Sequence, residues 1–307
     1  MSELVLDSVS RWYGNVVAVN DVSMRIGPGV TGLLGPNGAG KSTLIALMSG
    51  FLEPSAGTMT LDGERVWRNV EVYRRLGLVP EREVSFAYLT GRQFVQANAE
   101  LHKLSEPRAA TQRALEEVDL EGAADRTIST YSKGMRQRAK LASALVHEPQ
   151  VLLLDEPFNG VDPRQRMHLM KLLTRMGEQG RTVLFSSHIL EEVEHIARHV
   201  EVVVSGRHAA SGDFGAIRRL MTDRPTRYTV RSSDDRALAA ALMGQPSVRG
   251  VSLETPTGTS EVHVEVTDMG DFARALPTLA RSAGITVRDL TPTDESLESV
   301  FTYLVQS

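Results

Sequence analysis

The sequence predicts an α/β fold followed by a smaller α+β domain, and three observations support this. Continuous apolar runs at residues 151–154, 183–186 and 200–204 are typical of strands buried on both faces of a parallel sheet. Segments with a helical period of apolar residues lie between the strands, which is the order of an α/β core. A glycine-rich stretch at residues 35–43 joins an apolar run to a helical pattern.

The first part of the chain carries a different strand pattern. Residues 5–10 and 16–26 alternate apolar and polar side chains, as antiparallel strands do. The period becomes helical over residues 90–120. We therefore expect an antiparallel β subdomain and a helical part beside a mixed or parallel core sheet. Short strands are also predicted at residues 30–34, at 58–61 before a tight turn at Asp62-Gly63, and at 76–79.

A second pattern begins after a segment rich in turn residues, and we place a linker at residues 216–225. The predicted domains are therefore residues 1–215 and 226–307. The first six elements of the second domain read βαββαβ, the plan of a ferredoxin-like split-βαβ domain, and its residues do not indicate a function. Its elements are predicted as strand 227–231, helix 234–243, strands 249–254 and 260–266, helix 270–283, strand 285–290 and helix 294–305.

Composition excludes several classes of protein. The chain has 307 residues, of which 41% are hydrophobic, enough for one large core and one small one. It contains no cysteine, which excludes disulfides and thiolate metal sites. No apolar run approaches the roughly 18 residues of a membrane helix, and the N-terminus is unlike a signal peptide, so we expect a cytoplasmic protein. The net charge of −4 argues against a general nucleic-acid binder.

The glycine-rich stretch has the residues of a phosphate-binding loop. Its glycines allow successive backbone N–H groups to surround an anion, and the following helix adds its positive end. Lys41 is expected to reach the β- and γ-phosphates of a nucleotide, and the Ser42 hydroxyl to bind Mg²⁺. The alternative is a glycine-rich turn that matches by chance. The residues of this loop are Gly35, Pro36, Asn37, Gly38, Ala39, Gly40, Lys41, Ser42 and Thr43.

Two carboxylates follow the apolar run at residues 151–154. A buried strand can place Asp155 rigidly beside the Mg²⁺ at Ser42, through water, while Glu156 orients or deprotonates an attacking water molecule. Two acids at a strand end are also common as solvated turn residues. The phosphate loop upstream favours the catalytic interpretation.

A further helix is predicted to begin near residue 132. Ser132 lies where the N-cap is expected, and Gly134 permits a close approach of the backbone to a ligand. Taken alone, this segment is an ordinary capped helix with arginines on its exposed face.

The order of these motifs resembles the ATP-binding cassette (ABC) ATPases, which are P-loop NTPases. The sequence presents the phosphate loop, a helical insert at about residues 86–150, the Ser-x-Gly helix start, the Asp-Glu strand end and then Ser187-His188. The resemblance covers about residues 3–215. It implies that Ser132 and Gly134 belong to the signature motif, that Asp155 helps to bind Mg²⁺, and that Glu156 is the catalytic glutamate.

Three further positions match the family, and each has an ordinary structural alternative. Tyr13 resembles the aromatic residue that stacks on adenine, although it or Trp12 could pack against the sheet. His188 resembles the switch histidine that contacts the γ-phosphate, whereas a lone histidine is usually structural. Asp162 resembles a residue of the D-loop and by default would cap the helix that begins at Pro163.

The sequence also departs from the family pattern. The signature reads Tyr-Ser-Lys-Gly-Met at residues 131–135, where Leu-Ser-Gly-Gly-Gln is usual, but Ser132 and Gly134 are kept. Glu81 stands where a glutamine is common, and a carboxylate can still bind Mg²⁺ although it adds negative charge beside the phosphates. The D-loop wording at residues 159–162 differs as well.

The resemblance implies an ATP-hydrolysing subunit of an exporter for drugs, antibiotics or polysaccharides, with ATP and Mg²⁺ as cofactors. The expected partners are a second copy, which sandwiches ATP, and a separate membrane permease at the inner face of the cell membrane. Residues Phe86, Tyr88 and Leu89 are candidates for contacting the permease, or are core of the helical insert. The alternatives are an ABC ATPase that acts on ribosomes or DNA, and a non-hydrolysing switch, against which Glu156 argues.

Overall fold

The computed structural model describes residues 2–82, 86, 88–213, 217, 226–254 and 261–292. Contacts divide the described residues into two compact units, which lie within residues 1–214 and 215–300. Among the described residues, no helix has the length and apolarity to cross a bilayer.

The first unit contains ten strands, β1–β10, and seven helices, α1–α7, among its described residues. The strands are Leu4–Tyr13, Val16–Ile26, Gly29–Leu34, Ala56–Leu61, Glu64–Arg65, Leu76–Val79, Val151–Leu154, Thr182–Ser187, His199–Val204 and Arg207–Gly212. The helices are Lys41–Met48, Val70–Tyr73, Gly91–Leu101, Pro107–Glu117, Lys133–Leu145, Pro163–Glu178 and Leu190–Ile196.

Two sheets organise this unit. An antiparallel sheet has the order β2-β1-β4-β5, and a six-stranded sheet has the order β10-β9-β3-β8-β7-β6. In the larger sheet the strands from β9 to β6 are parallel, and only the edge strand β10 is antiparallel. Apolar side chains of both sheets and of α1 form one buried cluster, with Leu4, Ile26, Leu33, Leu44 and Leu153 almost inaccessible. This packing joins α1 to both sheets, and the strand pairing confirms the predicted antiparallel and parallel parts.

All eight strands predicted for this unit are present, with small differences at their ends. The helical region predicted over residues 90–120 contains two helices, because Pro107 begins α4 and fixes a new helix start there. The hairpin strand β10 had no prediction, since its residues alternate only weakly between exposed and half-buried positions. Residues 83–85 and 87, part of the segment proposed to contact a permease, lie outside the described residues.

The second unit has the predicted βαββαβ order. Its described elements are β11 (Thr226–Ser232), α8 (Asp235–Leu242), β12 (Val248–Glu254), β13 (Glu261–Val266), α9 (Met269–Ser282) and β14 (Val287–Pro292). The sheet order is β12-β13-β11-β14 with antiparallel pairs, and Val230, Val262, Val264, Leu238 and Phe272 form its core. The ferredoxin-like plan is therefore confirmed. The linker predicted at 216–225, apart from residue 217, and the helix predicted at 294–305 lie outside the described residues.

A buried carboxylate joins β9 to β10 at the edge of the large sheet. Glu201 is 2% exposed and accepts hydrogen bonds from His208 Nε2 at 2.5 Å and from Ser211 Oγ at 3.1 Å. His199 Nε2 lies 3.1 Å from the same carboxylate. The hydrogen bond to Glu201 raises the pKa of His208, against the opposing effect of burial. The protonated imidazole therefore stabilises the folded hairpin.

This pair predicts a pH-dependent contribution to stability. Because the folded-state pKa of His208 is raised above its unfolded value of about 6.5, its contribution is fully present below that pH and is lost as the pH rises through the folded-state pKa. We expect His208→Gln to lower the free energy of unfolding by about 1.5–3 kcal/mol near pH 6 and by less in alkaline solution. Urea unfolding of both proteins across this range measures the difference, and a difference that grows with pH would contradict the assignment.

Candidate nucleotide-binding site

The phosphate loop connects the end of β3 to the start of α1, as the sequence predicts. Two of its glycines have no room for a side chain. A Cβ on Gly35 would lie 2.2 Å from the carbonyl oxygen of Val203, and one on Gly40, at φ 98°, would lie 2.4 Å from that of Ala18. The loop is therefore held against β9 and β2 by direct backbone contact.

Lys41 is the first residue of α1 and is buried at the base of this loop. Its Nζ donates hydrogen bonds to the carbonyl oxygens of Gly35 at 2.7 Å and of Pro36 at 3.2 Å. The same Nζ lies 3.3 Å from Glu156 Oε1, and the two side chains are only 6% and 8% exposed. The structure thus pairs the loop lysine with the carboxylate that the sequence predicts to be catalytic.

Glu156 is held in an unusual backbone conformation at the end of β7. Its φ of 45° is in the left-handed region, which costs a non-glycine residue about 1–3 kcal/mol. Its N–H donates to Ser186 Oγ at 2.8 Å, and that hydroxyl donates in turn to Asp155 Oδ1 at 2.7 Å. One serine hydroxyl therefore fixes both acidic residues.

His188 contacts the second oxygen of the same carboxylate. Its Nδ1 lies 3.0 Å from Glu156 Oε2, and because a carboxylate only accepts, Nδ1 carries the proton in this hydrogen bond. The preceding residue, Ser187, accepts a hydrogen bond through its carbonyl oxygen from the N–H of Gly35 at 3.3 Å. The end of β8 is thus joined to the phosphate loop.

These groups line an open cleft of about 630 Å³. Its wall combines the backbone of the phosphate loop, one lysine, two carboxylates and an imidazole, which suits a polyphosphate. The lining residues are Val16, Val17, Ala18, Asn37, Gly38, Ala39, Gly40, Lys41, Ser42, Thr43, Glu81, Glu156, Asn159 and His188.

The site fits Mg²⁺ that arrives with a nucleotide rather than a metal held by the protein alone. No group of three or more acidic, histidine or cysteine side chains among the described residues could hold a metal ion. Mg²⁺ commonly uses one or two protein oxygens together with phosphates and water. Ser42 and Glu81 are exposed on the cleft wall, whereas the Asp155 carboxylate is 7% exposed and bound to Ser186.

Seven predicted site residues lie outside this lining, namely Gly35, Pro36 and Asp155, which are described above, and Tyr13, Ser132, Gly134 and Asp162. Tyr13 is 45% exposed, and the Arg11 guanidinium lies 4.7 Å from the centre of its ring. Ser132 caps α5 by accepting from the Met135 N–H at 3.2 Å, and Asp162 caps α6 by accepting from the Gln165 N–H at 3.0 Å. Gly134 packs against the same Gln165, where a Cβ would be 3.0 Å from the Gln165 side chain.

Sequence reasoning missed several residues that shape the cleft. Val16 and Val17 form one wall, yet they looked like ordinary strand residues and carried no signal. Asn159 borders the cleft although only its segment was noted. Ser186 could have been found, because it is one of two adjacent serines that precede His188 at the end of an apolar strand.

Known proteins with similar sequences include ATP-binding proteins named for antibiotic resistance or transport. The family profile described as ABC transporter matches residues 19–159. The daunorubicin resistance ATP-binding protein DrrA3 of Streptomyces coeruleorubidus is 32% identical over 305 residues, covering 98% of this chain and 95% of that protein. The bacitracin transport ATP-binding protein BcrA of Enterococcus faecalis is 30% identical over 302 residues, covering 97% and 95%.

Solved structures show the same fold in the first unit. An ATP-binding subunit of an ABC transporter superposes with a TM-score of 0.63 at 31% identity, covering 70% of this chain and 92% of that one. A bacterial ABC transporter cassette solved as a dimer superposes with a TM-score of 0.62 at 22% identity, covering 69% and 98%. The second supports the fold alone.

Gly35 offers a test of the loop geometry. We expect Gly35→Ala to lower the free energy of unfolding by about 1–3 kcal/mol and to weaken ATP binding, because the added methyl group meets the Val203 carbonyl. Gly27→Ala is the matched control, since a Cβ there meets nothing within 4 Å. Urea unfolding and binding of a fluorescent ATP analogue measure both effects. Equal behaviour of the two variants would refute the steric argument.

Proposed function

The chain belongs to the ABC transporter family, and we propose that it binds ATP in the cleft around Lys41 and hydrolyses it to power export through a separate membrane permease. One observation carries the assignment of the site. Lys41, Glu156 and His188 meet through contacts of 3.3 and 3.0 Å at the end of one parallel sheet.

The side chains divide the work of phosphoryl transfer to water. Lys41 exchanges Glu156 for the β- and γ-phosphates, which frees the carboxylate to orient water and accept its proton. His188 donates to Glu156 in this geometry, and in the proposed ATP complex it would donate to the γ-phosphate instead. Ser42, Asp155 and Glu81 hold Mg²⁺, which when bound neutralises charge that develops on the phosphate oxygens.

The proposed site is completed by a second copy of the chain. Ser132 is exposed at the positive end of α5 and lies outside the cleft of its own chain. In the proposed dimer, Ser132 and Gly134 of one copy meet the γ-phosphate bound by Lys41 of the other, and Asp162 lies near the contact. Tyr13, close in sequence to the cleft residues Val16 and Val17, stacks on adenine.

An apolar groove supports a permease contact on the helical part of the unit. It has a volume of about 590 Å³, and Tyr88 and Leu101 on its rim are 73% and 78% exposed. Phe86, Leu89 and Phe94 line the same groove. An apolar segment of a membrane partner would cover these side chains and hold the subunit at the inner face of the membrane.

The names of the relatives suggest a chemical class for the exported substrate, but no particular molecule. Two of the relatives are named for daunorubicin resistance and bacitracin transport. A third is the Nod factor export ATP-binding protein I of Paraburkholderia xenovorans. It is 37% identical over 215 residues, which cover 69% of this chain and 71% of that protein. We infer export of an antibiotic or of another molecule of the kind for which these relatives are named. Action on ribosomes or DNA is not favoured, since these relatives are named for resistance and transport.

Glu156→Gln tests the hydrolytic assignment. The amide keeps the shape of the side chain but cannot accept a proton, so ATP binding should persist while turnover falls by about 10²–10⁴-fold and dimer accumulates with ATP. Glu178→Gln, on the exposed end of α6, is the matched control. Phosphate release and size-exclusion chromatography with ATP measure the outcome, and unchanged turnover would remove Glu156 from this role.

Leu101→Glu tests the proposed permease contact. A charge on the groove rim should reduce recovery of a multi-span protein from membranes by about tenfold or more, because the carboxylate would be desolvated in the interface. Phe51→Glu is the control, since Phe51 is 77% exposed but does not line the groove. ATP hydrolysis by the isolated subunit should be unaffected in both. Recovery of ribosomes or DNA with the wild-type protein would instead overturn the transport assignment.

A further inference from the structure

A buried carboxylate lies directly behind the His188 turn and has no assigned role. Glu192, in the first turn of α7, is 4% exposed. Its Oε2 accepts a hydrogen bond from Ser187 Oγ at 2.6 Å, and its Oε1 lies 3.5 Å from Arg166 Nη1. Burial raises the pKa of Glu192 above its ordinary value, and the hydrogen bond from Ser187 and the charge of Arg166 offset this only in part. These two contacts partner a carboxyl group that would otherwise be costly to bury.

The contact to Ser187 controls the turn that carries His188. Ser187 Oγ also accepts a hydrogen bond from the Ile189 N–H at 2.9 Å, so one hydroxyl closes the turn over residues 187–189. The carbonyl oxygen of Ser187 accepts from the Gly35 N–H at 3.3 Å. Glu192 therefore restrains the backbone on both sides of His188 relative to the phosphate loop.

The contact to Arg166 leads to a different element. Arg166 lies in the first turns of α6, and its N–H donates to the carbonyl oxygen of Asp162 at 2.8 Å. Asp162 itself caps this helix. A displacement of the amino-terminal end of α6 must therefore move Arg166, and with it the partner of Glu192.

We propose that Glu192 is a positioning residue that holds the turn carrying His188 and, through Arg166, couples it to the Asp162 end of α6. The inference rests on the proposed catalytic roles of Glu156 and His188. Movement at Asp162, the end of α6 proposed to lie near the dimer contact, then changes where His188 stands relative to Glu156. The chain would thus sense a neighbouring copy by means of a buried ion pair rather than by direct contact with the nucleotide.

Isosteric variants separate this role from a general loss of stability. Glu192→Gln keeps the size of the side chain and its hydrogen bond to Ser187 but removes the charge that pairs with Arg166. Its matched control is Glu191→Gln, an exposed carboxylate in the same helical turn. Arg166→Met and its exposed neighbour variant Arg164→Met form the corresponding pair on α6.

The measurement is ATP hydrolysis by the full chain, with kcat and KM determined for each variant alone and combined with His188→Ala. We expect Glu192→Gln and Arg166→Met to lower kcat about tenfold with KM changed less than about twofold, and their combination to be no worse than either alone. In the His188→Ala background, Glu192→Gln should change kcat by less than about twofold, because the turn it positions no longer carries the imidazole.

Two results would overturn the inference. One is a kcat for Glu192→Gln equal to that of Glu191→Gln. The other is a loss of kcat from Glu192→Gln that is equally large in the wild-type and the His188→Ala backgrounds. A purely structural role predicts the second result together with a lower free energy of unfolding. If His188→Ala alone left turnover unchanged, the proposed role of His188 itself would be wrong. That result is distinct from the two results above, which would contradict only the positioning role of Glu192.

Discussion

The register of three parallel strands is the constraint on which the site depends. In the large sheet Leu34 pairs with Ser187, and Leu154 pairs with Phe185. Because parallel strands end at the same edge, the phosphate loop after β3, the acidic pair after β7 and the histidine turn after β8 emerge side by side. A slip of one residue would turn every side chain to the opposite face of the sheet and separate Lys41 from Glu156.

Hydrogen bonds at this edge convert strand register into fixed side-chain positions. The Ser186 hydroxyl links the Glu156 N–H to the Asp155 carboxylate, and it helps to hold Glu156 in its left-handed conformation. The Lys41–Glu156 pair adds a buried interaction whose members would be costly to bury singly. The strain at Glu156 and the burial of two charges are therefore offset by the same few contacts, which also orient these groups.

The sequence predicted what depends on local pattern and missed what depends on contacts between distant segments. Buried strands, the phosphate loop and the βαββαβ order each leave a periodic or glycine signature, and the structure contains them. The roles of individual site residues remain predictions that the geometry supports to different degrees: Lys41, Glu156 and His188 meet, whereas Tyr13 does not line the cleft. The wall at Val16 and Val17 was not predictable, because an exposed valine on a strand becomes a cleft wall only once β2 is placed beside the loop. The burial of Glu192 was equally unpredictable from the sequence, because it is one of three glutamates in α7 and nothing in the pattern distinguishes it from the exposed ones.

Contacts between the starts of α5 and α6 would allow a second copy bound at Ser132 to affect both helices. Gly134 packs on Gln165, and a Cβ at Gly160 would lie 2.1 Å from Lys133 Nζ, so the start of α5 is fixed against the segment that leads into α6. Lys133, where the family usually has glycine, thus adds a contact within the chain. Ser132 and Asp162 therefore cap two helix ends that contact each other, and a partner that engages the first is expected to displace the second. Since α6 carries Arg166 one turn further on, the surface proposed to complete the neighbour's site is connected, through Arg166 and Glu192, to the turn that carries His188 in the same chain.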